Sequence, residues 1–318
     1  MRKNVRIVTD NSMRQTLTRA LNKQTTIQDL NLVTDGQYSH NSVLAMSNDW
    51  NRFYNFCLSH DVVALPAAST AVRLFLQSES RNRKYASIRR YSVTISLMHR
   101  ILGYDDPVNT HSVRRLMSEL SNEKRGDATS SHAFTKSSLD ALTDKLERSN
   151  TPIDVRNLAI YHVMFECLLK RSELKSLTVN NVTIESSHGI LSLGNESYRL
   201  SKGATDKLNR WLILRGVAPG PLFVAIDKHG RFATAPLDDS SIYRIMRSAS
   251  DKLGLALDFS GQSLRVGGAI ELAKQGIKTR EIQTYGRWKS AAMPYYYVGN
   301  TVRAAHERLK YKVIRPID

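Results

Sequence analysis

The chain has 318 residues, 41% of them hydrophobic, which suffices for packed cores, makes two domains the natural expectation and excludes a disordered chain. Lys and Arg number 46 against 29 Asp and Glu, a net charge of +17, so a polyanion such as DNA or RNA is the first partner to expect; a basic chain kept soluble by its charge is the plainer alternative. Two cysteines, Cys57 and Cys167, lie in apolar runs without metal-ligand spacing, which excludes a disulfide framework and calls for neither metal nor cofactor.

Residues 1–28 are polar and basic and read as an N-terminal tail that closes on a short helix around "MRQTLTRALNK". No apolar signal segment is visible, and the longest apolar run, 158–169, is too short to cross a bilayer; a cytoplasmic, nucleoid-associated protein with no membrane partner is expected. Residues 29–125 read as a helical domain. Val43, Met46, Trp50, Phe53 and Phe56 recur at helical spacing. "LPAASTAVRLFLQSES" follows, with Pro66 just inside a helix start and Val72, Phe75 and Leu76 as its stripe. Over 81–103, Ile88, Tyr91, Ile95, Met98 and Ile101 form an apolar face, and Ser87, Arg90 and Thr94 form another. Residues 81–100 carry six Lys or Arg and no acid. A solvated face is the ordinary reading; the missing acids favour phosphate contact by Arg81, Arg83, Lys84, Arg89 and Arg90, with Ser87, Arg89, Arg90 and Thr94 near the bases.

The small polar run 126–132 reads as a linker, and 133–318 as a second domain. "DVRNLAIYHVMFECLLKRSELKSL" is apolar on most faces and predicts a helix through the core. "VNNVTIESSHGILSLGNESYRL" predicts a small antiparallel sheet, and the rest is helical. The fold class is mainly α with a small antiparallel β-sheet.

The residues that decide the family come last. "SLRVGGAIELAKQGIKTREIQTYGRWKSAAMPYYYVGN" has an Arg in a glycine-flanked helix start, a Gly-x-Trp, and a Tyr nine residues after that Trp. Together with "RNLAIYHVMFECLLKRSEL", "FCLSHDVVALPA" and "SIRRYSVTISLMHRILG", it resembles the Cre-like tyrosine recombinases, or phage integrases, over nearly the whole chain. The resemblance implies a helical DNA-clamping domain, a mixed catalytic-fold domain, a C-shaped grip on duplex DNA, and a last helix (about 301–313) that docks on a neighbouring protomer. It also implies a tyrosine that attacks a backbone phosphate, two Arg gripping its oxygens, a proton donor for the leaving 5′-oxygen and a hydrogen-bonding Trp.

On that pattern Tyr297 takes the nucleophile position, with Tyr295 and Tyr296 as neighbouring alternatives, and Arg265, Trp288 and Glu173 match the second Arg, the Trp and the acid. Three positions depart. The first Arg position falls on Lys170, with Arg171 about 100° round a helix from it. The His position is Gln262, which cannot release a proton at neutral pH. The hairpin lysine falls on Ser197, with Lys202, His162 and His188 as candidate stand-ins. The helix "SSIYRIMRSAS" resembles the family's second recognition helix, with Ser241, Tyr243, Arg244 and Arg247 facing DNA, and Lys170 and Arg265 are left as phosphate anchors. The expectation is therefore a sequence-specific double-stranded DNA-binding protein that has lost cleavage. A regulator of a plasmid or mobile element, an activator before a repressor, is the leading form. The alternatives are an active recombinase using Tyr297 and an accessory to an intact one. A homodimer through Val302, Leu309 and Val313 is expected.

Overall fold

In the computed structural model, residues 6–127, 132–185 and 188–313 are described, with side chains to residue 310. The chain divides into two compact units, 1–129 and 130–318. The linker expected at 126–132 falls mostly outside the described residues, as does Val313's side chain.

The first unit is helical: α1 (Asn11–Leu21), α2 (Ile27–Val33), α3 (His40–Ser59), α4 (Ser69–Ser80), α5 (Tyr85–Ile101) and α6 (His111–Glu123). The stripes at spacings of three and four bury Trp50, Phe53, Val72, Phe75, Ile88 and Ile95 in one cluster, because a helix hides one face at that period. Three expectations need correction. The basic 1–28 stretch is no loose tail: Asp10 caps α1, whose Leu17 and Leu21 join the core, and the Trp50 indole donates to the Leu21 carbonyl at 2.9 Å. Pro66 precedes its helix rather than opening it, since α4 begins at Ser69. Arg81, Arg83 and Lys84 lie before α5, which begins at Tyr85.

The second unit is built around α8 (Pro152–Glu166), in which every residue from Val155 to Phe165 is buried. Around it lie α7 (Lys136–Leu146), the short α9 (Arg171–Ser176) and a three-stranded antiparallel sheet of β1 (Val182–Ile184), β2 (Gly189–Leu193) and β3 (Glu196–Arg199), in that order. After α10 (Lys202–Arg215), the hairpin β4 (Val224–Ile226) and β5 (Phe232–Pro236) is one the sequence pattern does not flag, because β5 is exposed along its length and carries no alternation. The chain finishes with α11 (Asp239–Lys252), α12 (Gly261–Lys274), α13 (Thr279–Tyr285), α14 (Ala292–Tyr297) and α15 (Thr301–Val313). The expected core helix is thus shorter than its apolar run. It stops at Glu166, and Leu168 turns the chain with φ 48° before α9.

Candidate active site

The C-terminal end of α8 leaves carbonyls without helical partners, and two guanidiniums supply them. Arg265, on the first turns of α12 and 2% exposed, donates to the carbonyls of Leu168 and Gly286. The Trp288 ring lies over its guanidinium, 3.9 Å from carbon to ring centroid. Burial, and then the nearby charge of Arg287, lower the Arg265 pKa to about 10. Arg287 donates to the carbonyls of Cys167 (3.2 Å), Leu168 (3.1 Å) and Tyr285 (2.9 Å), to the Tyr198 hydroxyl, and twice to Glu173, at 3.0 and 2.7 Å. It does so from a left-handed backbone, φ 58°, an uncommon conformation for a residue with a Cβ.

Glu173 is the counter-charge of this cluster. Its carboxylate also accepts from the Lys170 backbone N–H and ammonium, both at 2.8 Å. Burial works to raise its pKa, but the hydrogen bonds from Arg287 and Lys170 and the charge of Arg287 outweigh burial and hold it at about 2. Lys170 itself does not sit within the core helix, as its apolar context predicts. It is the extended residue just before α9, with Arg171 opening that helix. The 100° offset between the two therefore does not apply, since no helix runs through both.

Of the three tyrosines, Tyr297 is the one turned to this cluster. Its hydroxyl accepts from the Gln262 amide at 2.7 Å, and its ring lies 6.0 Å from Trp288. Tyr295 and Tyr296 instead lie beside Arg303 and Arg308 of α15. Burial raises the Tyr297 pKa, against the opposing effects of Gln262 and Arg265, so the phenol form dominates at neutral pH. The Trp288 indole N–H has no partner among the described residues. Ser197 lies on β3 opposite Ser192. None of the stand-ins for its missing lysine joins Tyr297 by a hydrogen bond: His162 is spent on Thr143 at 2.9 Å, His188 pairs with Glu185 at 3.1 Å, and Lys202 opens α10. Among the described residues no group of three His, Cys, Asp or Glu is placed to hold a metal.

The arrangement places a phenol, an amide, an indole N–H and the cationic side chains of Arg265, Arg287 and Lys170 around one carboxylate. That set of donors and positive charges is suited to holding an anion. The sequence profile of the phage integrase family matches residues 132–303. The chain belongs to the phage integrase family. It is 25% identical to recombinase Cre of Escherichia phage P1 over 292 residues, which cover 83% of this chain and 84% of that protein. An integrase/recombinase XerD homolog of Selenomonas ruminantium is 24% identical over 277 residues, 81% of each chain. Among solved structures, the Tn1549 transposon integrase in complex with transposon right end DNA superposes with a TM-score of 0.63 at 13% identity, over 92% of this chain and 99% of that one. The XerH recombinase bound to palindromic difH substrate gives 0.62 at 14%, over 96% and 90%. These distant structures establish the integrase fold, mainly helical with small antiparallel sheets.

The expected groove-facing residues separate into two sets. Arg81, Arg83, Lys84 and Arg89 are exposed and Ser87 is half-buried. Thr94 is 2% exposed, and its hydroxyl meets Asp49 of α3 at 3.3 Å, so its expected place near the bases is not where the fold puts it. Arg90 reaches outward but is held by both oxygens of the same buried Asp49, at 2.7 and 2.8 Å. Arg90 and Thr94 are thus tied to a buried acid on a neighbouring helix, which no local pattern reveals. On α11, Tyr243 and Arg244 are exposed and Ser241 is half-buried; Arg247 is paired with Asp258 and stacks on Tyr243. Arg287 escapes a reading by motif. Its signal was present all the same, as a bulky residue between Gly286 and Trp288 at a turn.

Proposed function

We propose that this protein binds duplex DNA sequence-specifically on an integrase scaffold without efficient strand cleavage, and acts as a transcriptional regulator, in the first instance an activator, of a plasmid or other mobile element. The observation that carries the reading is the hydrogen bond between Tyr297 and Gln262: the amide donates to the phenol oxygen, and at neutral pH it can neither take the phenol proton nor give one to a leaving oxygen. Loss of a general acid alone costs about 10²- to 10⁴-fold, and loss of one charge-stabilising donor about 10²- to 10³-fold, without simple additivity. Arg81, Arg83, Lys84, Arg89, Tyr243 and Arg244 are the exposed side chains offered to DNA. The Tn1549 integrase was solved in complex with transposon DNA and XerH bound to its palindromic substrate, which supports the same partner here. Val302 and Leu309, both well exposed on α15, are offered to a second copy.

A second reading, an active recombinase using Tyr297, is favoured by one observation: Tyr297, Gln262, Arg265 and Trp288 are gathered within a single chain. A genome-wide occupancy map in the host, with wild type and Tyr297→Phe, separates the two. The regulatory reading expects peaks upstream of promoters, flanking DNA in one arrangement, and the same map for the variant. Flanks in two recombined arrangements that disappear with Tyr297→Phe would establish the recombinase instead.

A further inference from the structure

We infer that Arg171, and not Lys170, is the side chain that grips a DNA phosphate beside Tyr297; this rests on the DNA-binding reading and names the residue through which that site takes its ligand. Register with the family puts Lys170 at the gripping position, but its ammonium and its backbone N–H are both committed to Glu173. The Arg265 fork is turned into the Leu168 and Gly286 carbonyls beneath Trp288. Arg287 is spent on three carbonyls, a phenol and Glu173.

Arg171 differs from all three. It is exposed at the start of α9, and no described residue pairs with its guanidinium. Its carbon stem runs across Gly261: a Cβ at that glycine would stand 2.7 Å from the Arg171 Cδ and 3.7 Å from its Nε. Glycine at 261 is therefore what admits the stem, and the next residue, Gln262, is the one bonded to the Tyr297 hydroxyl. The Arg171 stem thus rests on the residue that precedes Gln262, and its planar guanidinium stays open beyond it. Such a fork can bind two oxygens of one phosphate, where an ammonium presents a single point of charge. Arg171, Arg265, Arg287 and Lys170 against one carboxylate leave the cluster an excess of positive charge for that anion.

Arg171→Gln keeps Cβ and Cγ over Gly261 and replaces the charged end with a neutral amide. Binding of a mixed-sequence DNA duplex is measured across a salt series for the full chain, for R171Q and for K170Q. The expected result is a slope of log affinity on log salt shallower by about one in R171Q, because one fewer phosphate is neutralised, with K170Q changing it less. An R171Q slope equal to wild type, or a larger change in K170Q, overturns the inference and leaves DNA binding in place. A wild-type chain that binds no duplex removes the DNA-binding reading and this inference with it.

Discussion

His162 shows how a single proton is placed by its neighbours. The Thr143 hydroxyl gives its hydrogen to the Leu139 carbonyl at 2.8 Å, so toward His162 Nε2 it can only accept. The imidazole proton is thereby fixed on Nε2, and Nδ1 is left a buried acceptor with no partner among the described residues. Burial, and then the charges of Lys207 and Lys136, lower the His162 pKa from 6.5 to about 4. Between those pH values the unfolded chain binds a proton that the folded chain refuses, so stability falls as pH drops from 6.5 to 4, by about 3 kcal/mol. Denaturant unfolding across that range should show this slope in wild type and a flatter one in His162→Leu; equal slopes would remove His162 as its source. Arg287 is the second case. Arg287→Ala strips the Cys167 carbonyl of its partner, leaves the Leu168 carbonyl to Arg265 alone and removes half of Glu173's hydrogen bonds, at an expected cost of about 2–3 kcal/mol. A midpoint of unfolding unchanged from wild type would mean that the network contributes nothing.

Elements meet here through glycine and through buried charge. Phe134 N–H bonds to the Ser263 carbonyl at 3.0 Å, laying the chain before α7 on α12. One turn on, a Cβ at Gly267 would overlap the Phe134 carbonyl, which is backbone and cannot swing aside. Gly267→Ala should therefore cost about 3 kcal/mol in thermal or denaturant unfolding, the upper end for an overpacked core; a cost below about 0.5 kcal/mol would show that the two elements separate freely. In the first unit, α3 and α5 are joined by Asp49, a carboxylate 2% exposed. Arg90→Ala strands that charge and should cost about 2–3 kcal/mol, whereas Arg89→Ala, on the exposed side, should stay within about 0.5 kcal/mol. If both variants unfold alike, the Asp49 pair is not a structural tie. The apolar stripes of α3, α4 and α5 were legible in sequence, since a 3.6-residue period is a local property. The tie of Arg90 and Thr94 to Asp49 was not, since that acid lies 41 and 45 residues away from them.

For the whole molecule, +17 net charge carries the expectation of strongly salt-dependent DNA binding, and the exposed Val302 and Leu309 of α15 that of self-association. Leu309→Asp should lower the assembly state on DNA in sedimentation experiments without altering unfolding, because the side chain is well exposed on its own chain; an unchanged assembly state would place the interface elsewhere. The family, the mainly helical fold with its small antiparallel sheet and the burial of both cysteines were readable from the chain alone, because each is a matter of residue type and spacing along it. Tertiary structure decided the rest. It ended α8 at Glu166 inside an unbroken apolar run, brought Tyr297 rather than its two neighbours against Gln262, and turned Arg265 and Arg287 into caps for α8 while leaving Arg171 open. The reason is that a guanidinium goes where orphaned carbonyls and a carboxylate await it, and those partners are brought together only when distant segments fold onto one another.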